Sequence, residues 1–225
     1  MRYFVSSGRF CAIAAVSAVV LCQGAGGQNA PAKVPPTIEA PAVPPRSSPN
    51  DYQAHVSAGA VTIAAEFTGH SIATPLATFT TDDFVTVDVA FFGPPSAHAK
   101  LSHEDFSLRI NGKKALPAQL YLLMYKSLKD PSYVPPEPAK SKDDAGVPVV
   151  GESPSDRNPQ WHPVPFDVEH KMEVRVEKAA LPEGDRALPE AGLLYFPYKG
   201  RENGISSVEL IYDGSAGRAI LTLHP

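Results

Sequence analysis

The sequence predicts a mostly β protein, an antiparallel β-sandwich with one short helix and a long proline-rich loop insertion. Three observations support this prediction. Short segments in which apolar and polar residues alternate are separated by turn-forming residues. One segment, residues 167–181, has apolar residues at helical spacing. Nine prolines lie between Pro131 and Pro165, where they exclude both a central strand and a helix interior.

Length and composition predict a folded protein with a substantial core. The chain has 225 residues, of which 43% are hydrophobic, so it is not disordered throughout. Its formal charge of −4 argues against a nucleic-acid-binding protein, which would carry a basic face. We interpret residues 51–225 as one β-sandwich domain.

The first 28 residues are predicted to be a secretory signal peptide. Arg2 and Arg9 precede an apolar run from Phe10 to Cys22, and small residues follow it. The run is too short to cross a bilayer stably, so we favour a cleaved signal over a retained anchor. We therefore expect an exported protein, periplasmic or extracellular, with no membrane span after signal removal.

Both cysteines, Cys11 and Cys22, lie in the predicted signal. The mature chain is therefore expected to contain no disulfide, no thiolate nucleophile and no cysteine-based metal site. An exported domain without disulfides depends on its hydrophobic core for stability.

Residues 29–50 are predicted to be a proline-rich linker. Seven prolines lie between Pro31 and Pro49, and no apolar periodicity runs through them. We favour an extended spacer over a recognition motif for a proline-binding groove.

The segment Phe84–Phe92 has the clearest strand pattern. Its valines and Phe91 alternate with Thr86 and Asp88, which is typical of a strand that is buried on one face only. The segment Val56–Phe67 is also predicted to be a strand, because β-branched residues alternate in its centre.

A hairpin is predicted at Asn111-Gly112, which follows the alternating segment Phe106–Ile110. The next apolar segment, Leu116–Tyr125, is interpreted as a strand, although a helix also fits its composition. Three further strands are predicted late in the chain, where turn-forming residues separate them. They are Gly192–Tyr198, Ile205–Tyr212 and Ala219–Leu223.

Residues 129–166 are predicted to be a loop inserted into the domain, and loops of this length are either functional or disordered. Trp161, the only tryptophan, lies near the end of the loop. We favour the interpretation that Trp161 anchors the loop on the core, and the alternative is a stacking platform for a ligand.

A helix is predicted over residues 167–181. Val168, Met172 and Val176 follow helical spacing, Asp167 is a candidate cap, and Pro182 would end the helix. A strand remains an alternative, because Met172 and Val176 also fit alternation.

The order of these segments carries a resemblance. A valine-rich strand precedes a "DFSLRINGK" strand and turn, and a "GLLYF" strand precedes a terminal hairpin. This order resembles the telokin-like immunoglobulin-fold domains of bacterial exported proteins, over roughly residues 52–128 and 187–225. The resemblance implies an immunoglobulin-like sandwich that binds or scaffolds outside the cytoplasm, and it supplies no catalytic residues. The matching residues are Val85, Val87, Val89, Asp105, Phe106, Leu108, Asn111, Gly112, Lys113, Gly192, Leu194 and Phe196.

Two clusters of ionisable residues are candidate metal sites. One contains His98, His103, Glu104 and Asp105, and the other is formed by the pair Asp82-Asp83. Converging loops could gather such carboxylates for calcium, and the two histidines could bind zinc. We favour solvated turns, because the spacing fits no known ligand loop.

The sequence therefore favours an exported, non-enzymatic β-sandwich module without a cofactor. The alternative is an envelope hydrolase or metal-binding protein that uses the two ionisable clusters. A protein partner could bind through a sheet edge or the proline-rich loop.

Overall fold

The structure is a computed structural model that describes residues 41–134 and 164–225. These residues are mostly β, with several antiparallel sheets, and they contain one α-helix, α1 (Phe166–Ala179). The strands are β1 (Ala54–Ala58), β2 (Val61–Gly69), β3 (Ser71–Ala73), β4 (Thr78–Thr81), β5 (Phe84–Phe92), β6 (His98–Leu101), β7 (Phe106–Ile110), β8 (Leu116–Pro117), β9 (Leu128–Lys129), β10 (Gly184–Ala187), β11 (Glu190–Pro197), β12 (Val208–Gly214) and β13 (Gly217–Leu223).

Two four-stranded antiparallel sheets share the main hydrophobic core. The first sheet has the order β1-β2-β5-β11, and the second has the order β13-β12-β7-β8. Ile63, Val87 and Phe196 of the first sheet belong to the same buried cluster as Leu108 and Leu210 of the second. Burying each such side chain stabilises the fold by roughly 1.5–3 kcal/mol. Two smaller sheets have the orders β10-β6 and β3-β4-β9.

Five predicted strands are confirmed. β5 and β7 have the predicted bounds, and β11, β12 and β13 differ from them by at most three residues. The prediction of a single strand at Val56–Phe67 is wrong, because a turn at Gly59 divides the segment into the hairpin β1–β2. Gly59 has a φ of 61°, a left-handed conformation that glycine adopts at little cost.

The prediction of a strand at Leu116–Tyr125 is wrong for most of its length. Only its first two residues pair as β8, Gln119 forms an isolated bridge with Tyr195, and two successive 3₁₀ turns begin at Tyr121 and Tyr125. Met124, between the turns, is fully buried, whereas Leu122 and Leu123 are 56% and 60% exposed. Two buried side chains, Ala118 and Met124, anchor this segment, so its apolar composition does not reflect strand pairing.

The predicted helix is confirmed, with shifted ends. It begins at Phe166, so Asp167 lies in the first turn and does not cap the helix. The negative charge of Asp167 there interacts favourably with the helix dipole. The helix ends at Ala179 because the following backbone joins the edge of β11, where Leu181 N–H donates to Leu193 O at 3.0 Å. Met172 and Val176 face the protein as predicted.

The outer face of the first sheet, opposite the main core, is covered by two elements. Helix α1 places Met172 and Val176 in a second buried cluster with Leu193 and Tyr195 of β11. The other element is residues 41–52, which we call the strap. Residues 41–50, at the end of the predicted linker, thus lie against the domain.

The strap contacts the sheet at both of its ends. Val43 packs against the cluster beneath α1, and Tyr52 is buried in a third cluster with Ala64, Ala90 and Ala191. Between these contacts, Ser48 and Asp51 form a capping box that closes a short 3₁₀ turn. The strap therefore covers sheet surface that would otherwise be exposed.

This cover corrects the prediction that β5 is buried on one face only. Thr86 and Asp88 lie on the outer face, yet Thr86 is fully buried and the Asp88 side chain is only 13% exposed. Alternation correctly predicted which residues share a face, but it did not indicate that the second face would also be covered.

Several predictions fall on residues that are not described. The signal peptide, residues 29–40 and Trp161 lie outside the described ranges, as does most of the loop at 129–166. The two ends of this predicted loop are described, and there Lys129 pairs in β9 and Phe166 begins α1. No helix in the described part of the chain combines the length and apolar character needed to cross a membrane.

The hairpin turn at Asn111-Gly112 generates a prediction. Both residues have positive φ, 53° and 66°, and the Lys113 N–H donates to Ile110 O at 3.0 Å. A Cβ at Gly112 would meet no atom within 4 Å, so Gly112→Ala introduces only backbone strain. We expect a loss of roughly 1–2 kcal/mol in the free energy of unfolding, measured by urea denaturation.

Gly204→Ala is the matched control, because its Cβ would also lie in open space and its φ is not positive. Equal stability of the two variants would contradict the proposed turn strain.

Candidate functional site

The predicted candidate His103 forms a close pair with Glu183. The Nδ1 atom of His103 lies 2.6 Å from Oε1 of Glu183, and the His103 backbone N–H donates to the same oxygen at 3.0 Å. Burial opposes ionisation of Glu183, but the hydrogen bonds from His103 and Ser102 outweigh it and hold the Glu183 pKa below its ordinary value. The carboxylate thereby fixes the orientation of the imidazole.

A second histidine–carboxylate pair lies on the two-stranded sheet of β6 and β10, and His103 and Glu183 lie just beyond one end of that sheet. His98 Nδ1 is 3.5 Å from Asp185 Oδ2, and both side chains are more than half exposed. Sequence reasoning missed Asp185 and Glu183 as partners, because each lies at least eighty residues from its histidine. Only the antiparallel pairing of β6 with β10 brings them together.

The acidic neighbours of His103 do not converge on a common point. Glu104 is exposed, whereas Asp105 is partly buried. Desolvation first, and then the nearby charges of Glu183, Glu104 and Asp213, raise the pKa of Asp105. Burial is the main cause of this shift, and Lys100 opposes it.

Asp82 and Asp83 lie elsewhere in the fold. Asp82 forms an ion pair with Lys129, and Asp83 Oδ1 lies 3.6 Å from Nζ of Lys199. The Asp83 carbonyl accepts the Tyr198 N–H at the far end of β11. The structure therefore does not join this pair to the His103 cluster. Within the described ranges, no three histidine or acidic side chains are grouped closely enough to hold a metal ion.

A groove adjoins His103 along the edge of β11. It consists of a narrow cavity of about 40 Å³ and a wider one of about 290 Å³, and we call the two together the β11 groove. The narrow cavity is lined in part by His103 and Gln119, and the wider one in part by Glu177 and Lys178. Both cavities are lined by Tyr121, Ala180, Leu181 and Glu183.

Two crossings of the chain create the narrow cavity. Leu181 N–H donates to Leu193 O, and Gln119 N–H donates to Tyr195 O at 2.8 Å, so two separate segments bond to the edge of β11. Gly192 permits the first crossing, because a Cβ there would lie 2.4 Å from Cα of Leu181. The cavity occupies the gap between these segments.

Exposed apolar side chains accompany the groove. Leu120 lines the narrow cavity and is 43% exposed, and the next exposed residues along the chain are Leu122 and Leu123. Burial raises the pKa of Tyr121, and Glu177 raises it further. An exposed leucine in the largely apolar lining of a groove that also holds a few polar groups is typical of a binding surface.

A separate charged cluster lies under the strap, and the sequence offered no signal for it. Arg46 forms an ion pair with Glu66, and its Nη2 lies 3.6 Å from Asp88 Oδ2. The guanidinium also lies 4.5 Å from the centre of the Tyr52 ring. Because Glu66 and Asp88 are direct partners across β2 and β5, Arg46 offsets their mutual repulsion.

Asp88 is the most strongly perturbed carboxylate of this cluster. Burial raises its pKa from 3.8 to about 6, against the opposing effect of Arg46. Its Oδ1 atom is buried without a hydrogen-bond partner in the described residues. The cluster therefore anchors the strap at an energetic cost to Asp88.

Comparisons of the chain with protein-family models, curated proteins and solved structures find no match. The resemblance to telokin-like domains thus stays a prediction based on motifs and strand order.

The raised pKa of Asp88 generates a prediction about pH. Because the folded-state pKa of about 6 exceeds the ordinary 3.8, protonation stabilises the fold. This contribution is complete below the ordinary value and is lost as pH rises through about 6. Asp88→Asn should remove the dependence and be more stable than the wild type at neutral pH, by roughly 1–3 kcal/mol.

The measurement is urea denaturation of both proteins at about pH 5 and about pH 8. Comparison with the variant cancels the titration of all other groups. A stability difference that is the same at both pH values would contradict the burial of an ionised Asp88.

Proposed function

We propose that this protein is an exported, immunoglobulin-like β-sandwich module that binds a partner in the periplasm or cell envelope. The predicted signal at residues 1–28 supports export, and two antiparallel sheets around one core support the sandwich. Four of the candidate ionisable residues, His98, His103, Asp82 and Asp83, each contact one partner side chain, and no three such groups come together among the described residues. Because a metal or hydrolytic site needs several converging groups, this dispersal favours a binding module.

The β11 groove is the proposed binding site, and one observation carries this proposal. Polar groups of His103, Gln119 and Glu183 converge on a concave surface whose lining is otherwise largely apolar and includes the 43% exposed Leu120. A few placed polar groups within an apolar lining are the usual composition of a ligand site.

A pair of matched variants tests the groove as a binding site. Leu120→Ser removes an apolar side chain from the groove, whereas Ile220→Ser removes one of similar exposure, 49%, from β13 of the second sheet. We expect a protein that is captured from envelope extract by the wild type to be retained by Ile220→Ser and lost with Leu120→Ser.

The captured proteins are identified by mass spectrometry. Capture of the same proteins by both variants, or of none by the wild type, would refute the proposed site.

A second candidate function, hydrolysis or metal binding at His103, is favoured by the 2.6 Å contact with Glu183. A carboxylate on Nδ1 orients the imidazole so that Nε2 can act as a base or a metal ligand.

Metal analysis of the purified mature protein tests this alternative. If His103 binds zinc, the melting temperature should rise on addition of zinc, and His103→Ala should abolish the rise. If the protein contains no metal and its melting temperature does not change, metal binding at His103 is refuted. A change in melting temperature that persists in His103→Ala would show that the metal binds at another site.

A further inference from the structure

We propose that the β11 groove binds an extended peptide segment of a partner protein, in which a lysine or arginine lies beside apolar residues. This inference depends on the proposed function, because it takes the groove as the binding site. It adds the chemistry of the occupant, which the charges and shape of the groove determine.

The shape of the groove favours an extended chain. The narrow cavity of about 40 Å³ accommodates a side chain but no compact ligand of drug size. The wider cavity shares Tyr121, Ala180, Leu181 and Glu183 with it, so the two form one continuous surface. A peptide in extended conformation can fill adjoining sites of unequal size with successive side chains.

The charges of the groove favour a basic residue at the narrow end. Glu183 lines that end, and the exposed carboxylate Glu104 directly follows His103, which lines it too. Glu104 forms no ion pair among the described residues. In the wider cavity Lys178 offsets Glu177, and the remaining acid is Glu183, which both cavities share.

The apolar residues of the groove favour apolar side chains next to the basic residue of the peptide. Leu120 lines the narrow cavity and is 43% exposed. Pro182 and Leu181 provide apolar contacts in the wider cavity. Apolar residues that flank the basic one would bury this surface, which is exposed in the free protein.

Selection from a random peptide library displayed on phage tests the proposal directly. The mature wild-type protein is the bait, and the strongest selected peptide is then synthesised with a fluorescent label for anisotropy titrations. We expect selected peptides to combine lysine or arginine with apolar neighbours, and their affinity to fall with rising salt concentration.

Three variants define the result. Glu104→Gln combined with Glu183→Gln should weaken binding about tenfold, because the acidic end is neutralised without a change of size. Leu120→Ser should weaken it as well. Glu209→Gln, which neutralises an acid paired with Arg109 on the second sheet, should bind as the wild type does. Thermal melts confirm that each variant is folded.

The outcomes separate this inference from the proposed function. Peptides that depend on Leu120, but lack a basic residue and bind the double variant as tightly as the wild type, would overturn the inference and leave the groove as a binding site. Selected peptides whose binding is unaffected by Leu120→Ser, or a selection without enrichment, would overturn both.

Discussion

The burial of the first sheet on both faces is the constraint on which the rest of the structure depends. The inner face belongs to the core shared with the second sheet, and the outer face is covered by α1 and the strap. Both covering elements come from segments outside the sheets: the strap precedes β1, and α1 precedes the segment that bonds to the edge of β11. The charged cluster at Arg46 and the β11 groove both result from this arrangement.

The two covering elements differ in how they hold the sheet. Helix α1 contributes apolar contacts, with Met172 and Val176 against β11. The strap combines the apolar anchors Val43 and Tyr52 with an ion pair at Arg46, and it buries Asp88 in doing so. A buried carboxylate beside its own countercharge is costly to keep ionised, so the strap links the stability of the domain to pH.

The groove is a consequence of how the edge of β11 is protected. Exposed edges promote aggregation, and here two short segments bond to Leu193 and Tyr195 and block further pairing. The structure therefore gives no support to a partner strand at this edge, one of the partner modes expected from the sequence. Because the two segments do not meet, a concave surface remains between them, and its lining of His103, Glu183 and Tyr121 is suited to side chains.

Local patterns in the sequence determined where β5, β7 and α1 lie, because alternation and helical spacing record which residues face the nearest layer. They also predicted a chain whose stability depends on packing without disulfides. Only the tertiary structure decided that Asp88 is buried and that Glu183 meets His103. Those facts depend on which distant segments come to cover a face or an edge, and residues eighty positions apart leave no shared local pattern for the sequence to reveal.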